Sequence, residues 1–273
     1  MASKPRFETL LLEREGAIAW ITLNRPERLN ALNGVMFDEL AAALETERRS
    51  DSRVIVLRGA GTSFSAGHDL GRDSTEVVEP GDSVADRDRQ AEYVEHFLRI
   101  WEHPKPVIAA VHGYCIAGAS QLCTFCDLTI VAEDAVITAS PMLPLGGGFI
   151  SPLWAFLVGP KRAKHMSFVA GHRISGATAA DWGWANFAVP AAALEGAVRE
   201  LALAIARTPP SVLRMKKVAI NRVVDLQGFR MAAFMGTESD VIVHETDAVE
   251  SLKAAIQDLG LKEAIRRFEA GDL

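Results

Sequence analysis

The rhythm of apolar positions changes once along this chain. Through the first 190 residues, short unbroken apolar runs alternate with stretches of helical spacing; after about Val189 only helical spacing remains. The runs VIVLRG (54–59) and VIAAV (107–111) are rich in β-branched residues and nearly free of charge, which predicts buried strands. Residues 7–12 and 17–23 flank the Glu15-Gly16 turn and predict an opening antiparallel hairpin. Two further strands are expected at 128–131 and 136–139. Between them, Met36, Leu40, Ala43, Leu44 and Glu47 share one helical face, with Asn33 placed as N-cap. Helices are also expected at 85–101 and 151–158, the second after the glycine-rich turn 145–149. Strands joined by helices imply an α/β fold with right-handed crossovers.

The last third predicts helices at 194–207, 210–224, 227–244, 247–259 and 261–268, with Thr208 as a cap and Pro209 in the first helical position. Helices without strands cannot join the sheet. They pack outside it, on their own subunit or on a neighbour. Residues 72–90 are crowded with charge and interrupted by Pro80-Gly81, and read as a mobile surface loop or a lid.

Two strand exits hold the candidate chemistry. After 107–111, Gly113 breaks the strand, and Ala117-Gly118-Ala119 turns the chain into a helix through Gln121, Leu122 and Cys123. Main-chain N–H groups at such a turn suit a developing oxyanion. After 54–59 comes Ser65-Ala66-Gly67-His68-Asp69-Leu70, again small at the exit. Two donors facing each other would act together, although two ordinary strand-to-helix turns have the same composition.

These residues resemble the crotonase superfamily, the enoyl-CoA hydratase/isomerase family. The matching pieces are LNRPERLNAL (23–32), FSAGHDL (64–70), AAVHGYCIAGASQL (109–122), CDLTIVAEDAVI (126–137), VGPKRAKHM (158–166) and AxxWGWAN (179–186). They occur in the family's order and cover most of the chain. The resemblance implies a crotonase-like ββα spiral core over 1–190, and a helical region over 191–273 that builds trimers, often stacked as hexamers. It implies an acyl-CoA thioester as substrate, CoA entering as part of the substrate, and no separate cofactor or metal. His68 and Gly118 would supply the two main-chain donors. CoA would lie along Arg28, Leu29, Ala66, His68, Asp69, Leu70 and Gly71, with Arg25 and Arg28 as phosphate partners, and Pro141 and Met142 beside the acyl group.

Two departures matter. The positions where the family's hydratases carry acid/base carboxylates are Gln121 and Pro141 here. An amide is no base, and proline offers no proton. Gln121 remains as a group that can orient water, and Asp73, Glu76 and Glu79 of the lid remain as acids. A third departure is Gln257-Asp258-Leu259-Gly260, where the family often has a cation for CoA. The expected function is therefore an acyl-CoA enzyme of lyase or isomerase type that is a poor hydratase, or else an acyl-CoA binding protein of the same fold with little catalysis.

Bulk properties narrow the partners. A net charge of −6 and pI near 5.7, with no basic stripe, argue against nucleic acid. No apolar run spans a membrane and the amino terminus does not read as a signal peptide, so a cytoplasmic location is expected. Cys115, Cys123 and Cys126 fit a reducing compartment, and the Cys123/Cys126 pair lacks the second ligand pair of a zinc site. Buried, inert thiols are expected. Ser120 lacks the second glycine of an esterase elbow, and Gly59-x-Gly61 lacks the third glycine of a dinucleotide fingerprint.

Overall fold

The computed structural model describes residues 7–70, 81–146 and 151–273. In chain order the strands are β1 (Leu10–Glu15), β2 (Ile18–Leu23), β3 (Val54–Gly59), β4 (Val107–Val111), β5 (Tyr114–Ile116), β6 (Leu128–Ala132), β7 (Val136–Thr138), β8 (Ile174–Ser175) and β9 (Phe187–Val189). The helices are α1 (Gly34–Arg48), α2 (Ser83–Trp101), α3 (Gly118–Phe125), α4 (Ser151–Val158), α5 (Pro160–Phe168), α6 (Gly176–Trp182), α7 (Leu194–Ala206), α8 (Pro210–Leu226), α9 (Phe229–His244), α10 (Asp247–Leu259) and α11 (Leu261–Ala270).

One sheet runs β1-β2-β3-β4-β6-β9, antiparallel only at β1–β2. Its inner strands are buried along most of their length, which is why they read as continuous apolar runs. The smaller sheet runs β5-β7-β8. The chain steps from the larger sheet to the smaller at Gly113 (φ +55), where any Cβ would collide with the Thr62 carbonyl. Each turn of the spiral repeats that step: β4, β5, α3, then β6, β7, α4. Earlier turns make the same step with single bridges, Leu32 beside His68 and Ser65 beside Cys115.

The sequence reading needs local corrections. β5, β8 and β9 have two or three residues each, too short to show a period, and α5 and α6 were also unmarked. Part of the charged stretch 72–90 is helix: Asp82 caps α2 by accepting from the Ala85 N–H at 2.9 Å, so residues 83–90 are not loop. The cap of α8 is Pro209 rather than Thr208, because a residue before proline is steered out of the helical region. Asn33 caps α1 as expected.

One core runs from Leu10 to Ala233. α7 lies on the large sheet, and α9 lies along α2 and α4. A second, smaller core joins Leu143 and Leu145 to Leu252, Ala255, Leu259, Ala264 and Phe268 of α10 and α11. Among the described residues, no helix is long and apolar enough to cross a membrane.

Candidate active site

β3 and β4 are parallel neighbours, so their exits leave the sheet side by side. They then zip together: Phe64 N–H donates to His112 O at 2.8 Å, Ser65 N–H to Tyr114 O at 3.0 Å, and Ile116 N–H to Ser65 O at 3.1 Å. The zipper ends at Gly67, where a Cβ would stand 2.6 Å from Ile116 O and 3.4 Å from Gly118 N. Leu32 takes up the far side of this strand. Its N–H reaches Gly67 O and its carbonyl accepts from Asp69 N–H, both at 2.8 Å. Strand alternation therefore turns the His68 N–H away from Leu32. Gly118 opens α3, where first-turn N–H groups have no acceptor within the helix.

Ala117, just before it, holds φ +49 and ψ −113, a strained backbone for alanine. Its N–H is held by Thr138 O at 2.9 Å, and its carbonyl accepts from Gln121 N–H and from Ser120 Oγ. Thr138 Oγ1 in turn donates to Ser140 O at 2.6 Å. This chain of bonds ties Gly118 and the fully buried Gln121 to the segment of Pro141 and Met142. Pro141 and Met142 are half-buried; the Pro141 carbonyl accepts from Gly171 N–H at 3.0 Å, and the Met142 thioether lies against Gly171.

The His68 imidazole covers Gly118: a Cβ on Gly118 would stand 2.6 Å from Nε2. The ring packs on Tyr93 at 4.6 Å and Phe37 at 5.8 Å, with both nitrogens out of solvent. Burial, helped by the nearby Arg89 guanidinium, pushes it down to about 4, so the ring is neutral at ordinary pH.

Arg28 and Leu29 end a short 3-10 turn, and Leu29 O accepts from Ala66 N–H at 2.9 Å, so the two expected CoA segments do meet. Arg25, the other expected phosphate partner, is anchored within the chain. Its guanidinium pairs with Asp69 at 2.8 Å and donates to Ala31 O at 2.7 Å, which matches its charge within the chain. Leu70 is exposed. Gly71, Asp73, Glu76 and Glu79 lie outside the described residues, as does part of the 145–149 turn.

Several residues had no signal in the pattern. Asn30 is buried at φ +55, accepts from Arg25 N–H and donates to Ala60 O and Ser63 O, pinning the 3-10 turn to the β3 exit. From α2 and α9 come Asp86, Arg89 and His244: Asp86 accepts from Arg89 Nη2 at 2.7 Å and pairs with His244 Nδ1 at 2.6 Å. Burial alone would raise the Asp86 carboxyl, but the hydrogen bonds from His244 and Arg89 outweigh it and hold it at about 2. Asp240, also buried, packs its carboxylate on Gly146, five residues past Pro141. Cys115 and Cys123 are free thiols 3.8 Å apart, and burial pushes Cys123 and Cys126 well up, as inert cysteines require. No group of three or more metal-ligating side chains is assembled among the described residues.

A family model described as enoyl-CoA hydratase/isomerase matches residues 13–257. The chain belongs to that family. An enoyl-CoA hydratase/isomerase from Xanthobacter autotrophicus superposes with a TM-score of 0.90 at 33% identity, over 97% of this chain and 98% of that one. Together with the architecture above, this establishes the crotonase-like spiral with carboxy-terminal helices. A hydroxycinnamoyl-CoA hydratase-lyase from Pseudomonas fluorescens is 28% identical over 97% of this chain and 98% of its own length. The human mitochondrial Delta(3,5)-Delta(2,4)-dienoyl-CoA isomerase is 43% identical over 42% of this chain and 37% of its own. The enoyl-CoA hydratase/isomerase family thus spans hydratases, lyases and isomerases, and membership alone does not select one reaction.

Proposed function

We propose that this protein binds an acyl-CoA thioester and stabilises its enolate, with the thioester oxygen accepting from the N–H groups of His68 and Gly118. The observation that carries this reading is the zipped pair of strand exits, which places Gly67 against Gly118 N and turns the His68 N–H away from Leu32. Each donor is worth about 3 kcal/mol to the developing charge. Both belong to main chain fixed by sheet neighbours, so no reorganisation is needed when charge builds up. CoA lies along Arg28, Leu29 and the segment from Ala66 to Leu70; Arg25 supports that segment through Asp69.

Hydration of an enoyl thioester needs a base for water and an acid for the α-carbon. Gln121 can orient water, but it cannot take the proton, and Pro141 gives none. The neutral His68 is a poor acid at ordinary pH. The reaction is of lyase or isomerase type, with proton transfer handled outside the two usual positions; Asp73, Glu76 and Glu79 are the remaining candidates. Positioned acid/base groups contribute 10²–10⁴-fold each and do not simply multiply, so crotonyl-CoA hydration falls about three orders of magnitude below an ordinary family hydratase. Loss of enoyl absorbance measures it. Ordinary turnover refutes the argument. Binding is tested separately: Gly118→Pro removes a donor and strains the turn, and calorimetry should then show weaker acyl-CoA affinity.

The same two substitutions favour a second reading, an acyl-CoA binding protein with little catalysis. Turnover against a panel of acyl-CoA thioesters separates the two. In either case we infer a cytoplasmic protein whose 191–273 region assembles a trimer or hexamer. Met215, Ile220, Val223, Leu226, Met231 and Ile242 on α8 and α9 stand exposed, an apolar surface of the kind a second copy covers. Light scattering that finds a monomer at micromolar concentration refutes the assembly.

A further inference from the structure

α9 lies along α2, and at one end of that seam Trp101 stacks on Phe229 at 4.5 Å. α8 docks beside this joint. Of its residues Lys217 alone is buried, and polar bonds hold the helix in place. Lys217 Nζ donates to Ile100 O at 3.1 Å and pairs with Asp127 at 2.7 Å, and Asn221 Nδ2 donates to Trp101 O at 2.8 Å. A cleft of about 260 Å³ remains between α8 and the carboxy-terminal ends of α1 and α2. It lies where the chain enters β4. The length of that strand, about 16 Å, separates it from the exit that leads to Gly118.

Lining cations outnumber lining carboxylates five to two, on a chain whose net charge is −6. Most are matched. Lys217 is balanced by Asp127. Glu102 and Asp225 share Arg230, at 2.6 and 3.1 Å, while Arg48 and Arg49 share Glu45, so these two clusters offset each other. Left over are Arg214 and Arg222, exposed on α8 and without a partner among the described residues. A guanidinium keeps its charge at any ordinary pH. The two stand eight residues apart, about 12 Å along the axis, a gap that two long side chains close from either side. Two unmatched cations call for a dianion, and a phosphate monoester is one at neutral pH, with acceptor oxygens that suit guanidinium forks. The cleft is larger than a bare ion needs, and Trp101, Pro104 and Val218 line it too, which covers a carbon skeleton. Its volume stays below the ~300 Å³ at which drug-sized pockets begin, so the skeleton is short. We propose that this cleft is a second binding site, for a small phosphate monoester whose phosphate lies between Arg214 and Arg222. Such a ligand bridges α8 to the ends of α1 and α2. The site stands independently of the acyl-CoA reading.

The test is calorimetry on the intact protein at fixed ionic strength, with phenyl phosphate, inorganic phosphate and benzoate as probes and free CoA as competitor. Phenyl phosphate is expected to bind about tenfold more tightly than benzoate, which has the same ring but one charge, the worth of one charge-assisted hydrogen bond. It should also bind more tightly than inorganic phosphate, which leaves the apolar wall uncovered. Arg214→Ala and Arg222→Ala should each weaken it about tenfold. Both side chains are exposed, so both variants should fold, and circular dichroism checks this. Amide exchange in α8 should slow when phenyl phosphate binds. Inorganic phosphate bound as tightly as the ester means an adventitious ion only and overturns the site. Benzoate bound equally well, no binding at all, or an affinity that survives both substitutions overturns it too. Displacement by free CoA overturns it as a second site, since the cleft would then hold the phosphates of CoA.

Discussion

The two ends of the α2–α9 seam are held by different physics. At one end the joint is made of rings: Phe229 touches Trp101 at 4.5 Å, Phe125 at 5.3 Å and Phe156 at 5.5 Å, and Phe125 continues to Phe97 at 5.4 Å. At the other it is made of charges, Asp86 between Arg89 and His244. Ring packing is gained contact by contact and tolerates partial loss. A buried charged group has value only when complete, because removing one member strands the others. The difference lies in how each joint fails: the ring end gives way contact by contact, and the charged end fails when any one member is removed.

The largest expected effect is at the rings. Phe229→Ala should cost about 4 kcal/mol, measured by urea unfolding, since Phe229 is 2% exposed and its neighbours cannot all close the gap. A cost under about 1 kcal/mol would show that the anchor lies elsewhere. Next, Asp86→Ala should cost about 2 kcal/mol, discounted because Arg89 keeps some solvent. Adding His244→Leu should recover part of that loss, as a double-mutant cycle would register, because one stranded group is then removed.

The third effect is on pH dependence, and the sign follows from which state takes up protons. His68 and His103 sit at about 4 in the fold, so the unfolded chain protonates first, near 6.5, and stability declines as pH falls from about 6.5 to 4. Asp86 sits at about 2, below its ordinary 3.8, so its contribution is present above 3.8 and is lost as pH falls through 2. Melting temperature against pH should therefore drop in two stages, and Asp86→Asn should shrink only the lower one, to which Glu47 and Glu263, also held low, still contribute. The smallest effect is on the outer face of α9. Ile242→Ser, at a side chain 72% exposed, should change unfolding free energy by no more than about 0.5 kcal/mol in a monomer, while weakening any assembly that covers that face.

What the sequence made legible is what local pattern can encode. The strand Val54–Gly59 and the helices Ser151–Val158 and Asp247–Leu259 have the expected bounds, because an apolar run or a helical period is written in consecutive residues. β8 and β9 exist only because distant strands accept them, Ile137 beside Ile174 and Ile130 beside Phe187, and two or three residues carry no period. The site divides the same way. Gly118 and His68 were visible as small-residue exits within a motif. The pairing of Arg25 with Asp69 and of Asp86 with His244 joins residues far apart in the chain, and no single segment records it.

The small core under Leu143 has a consequence for the order in which the molecule is completed. The sheet, α2 and α3 are all encoded before residue 190, and they carry both strand exits with them. The stretch just past Pro141 is different: Leu143 and Leu145 find their apolar cover only on α10 and α11, whose contacts reach Ala264 and Phe268. On a ribosome, which releases a chain from its amino end, both strand exits can be in place while the stretch past Pro141 still lacks its apolar backing. That stretch is covered only when α10 and α11 emerge and dock, well after the spiral itself.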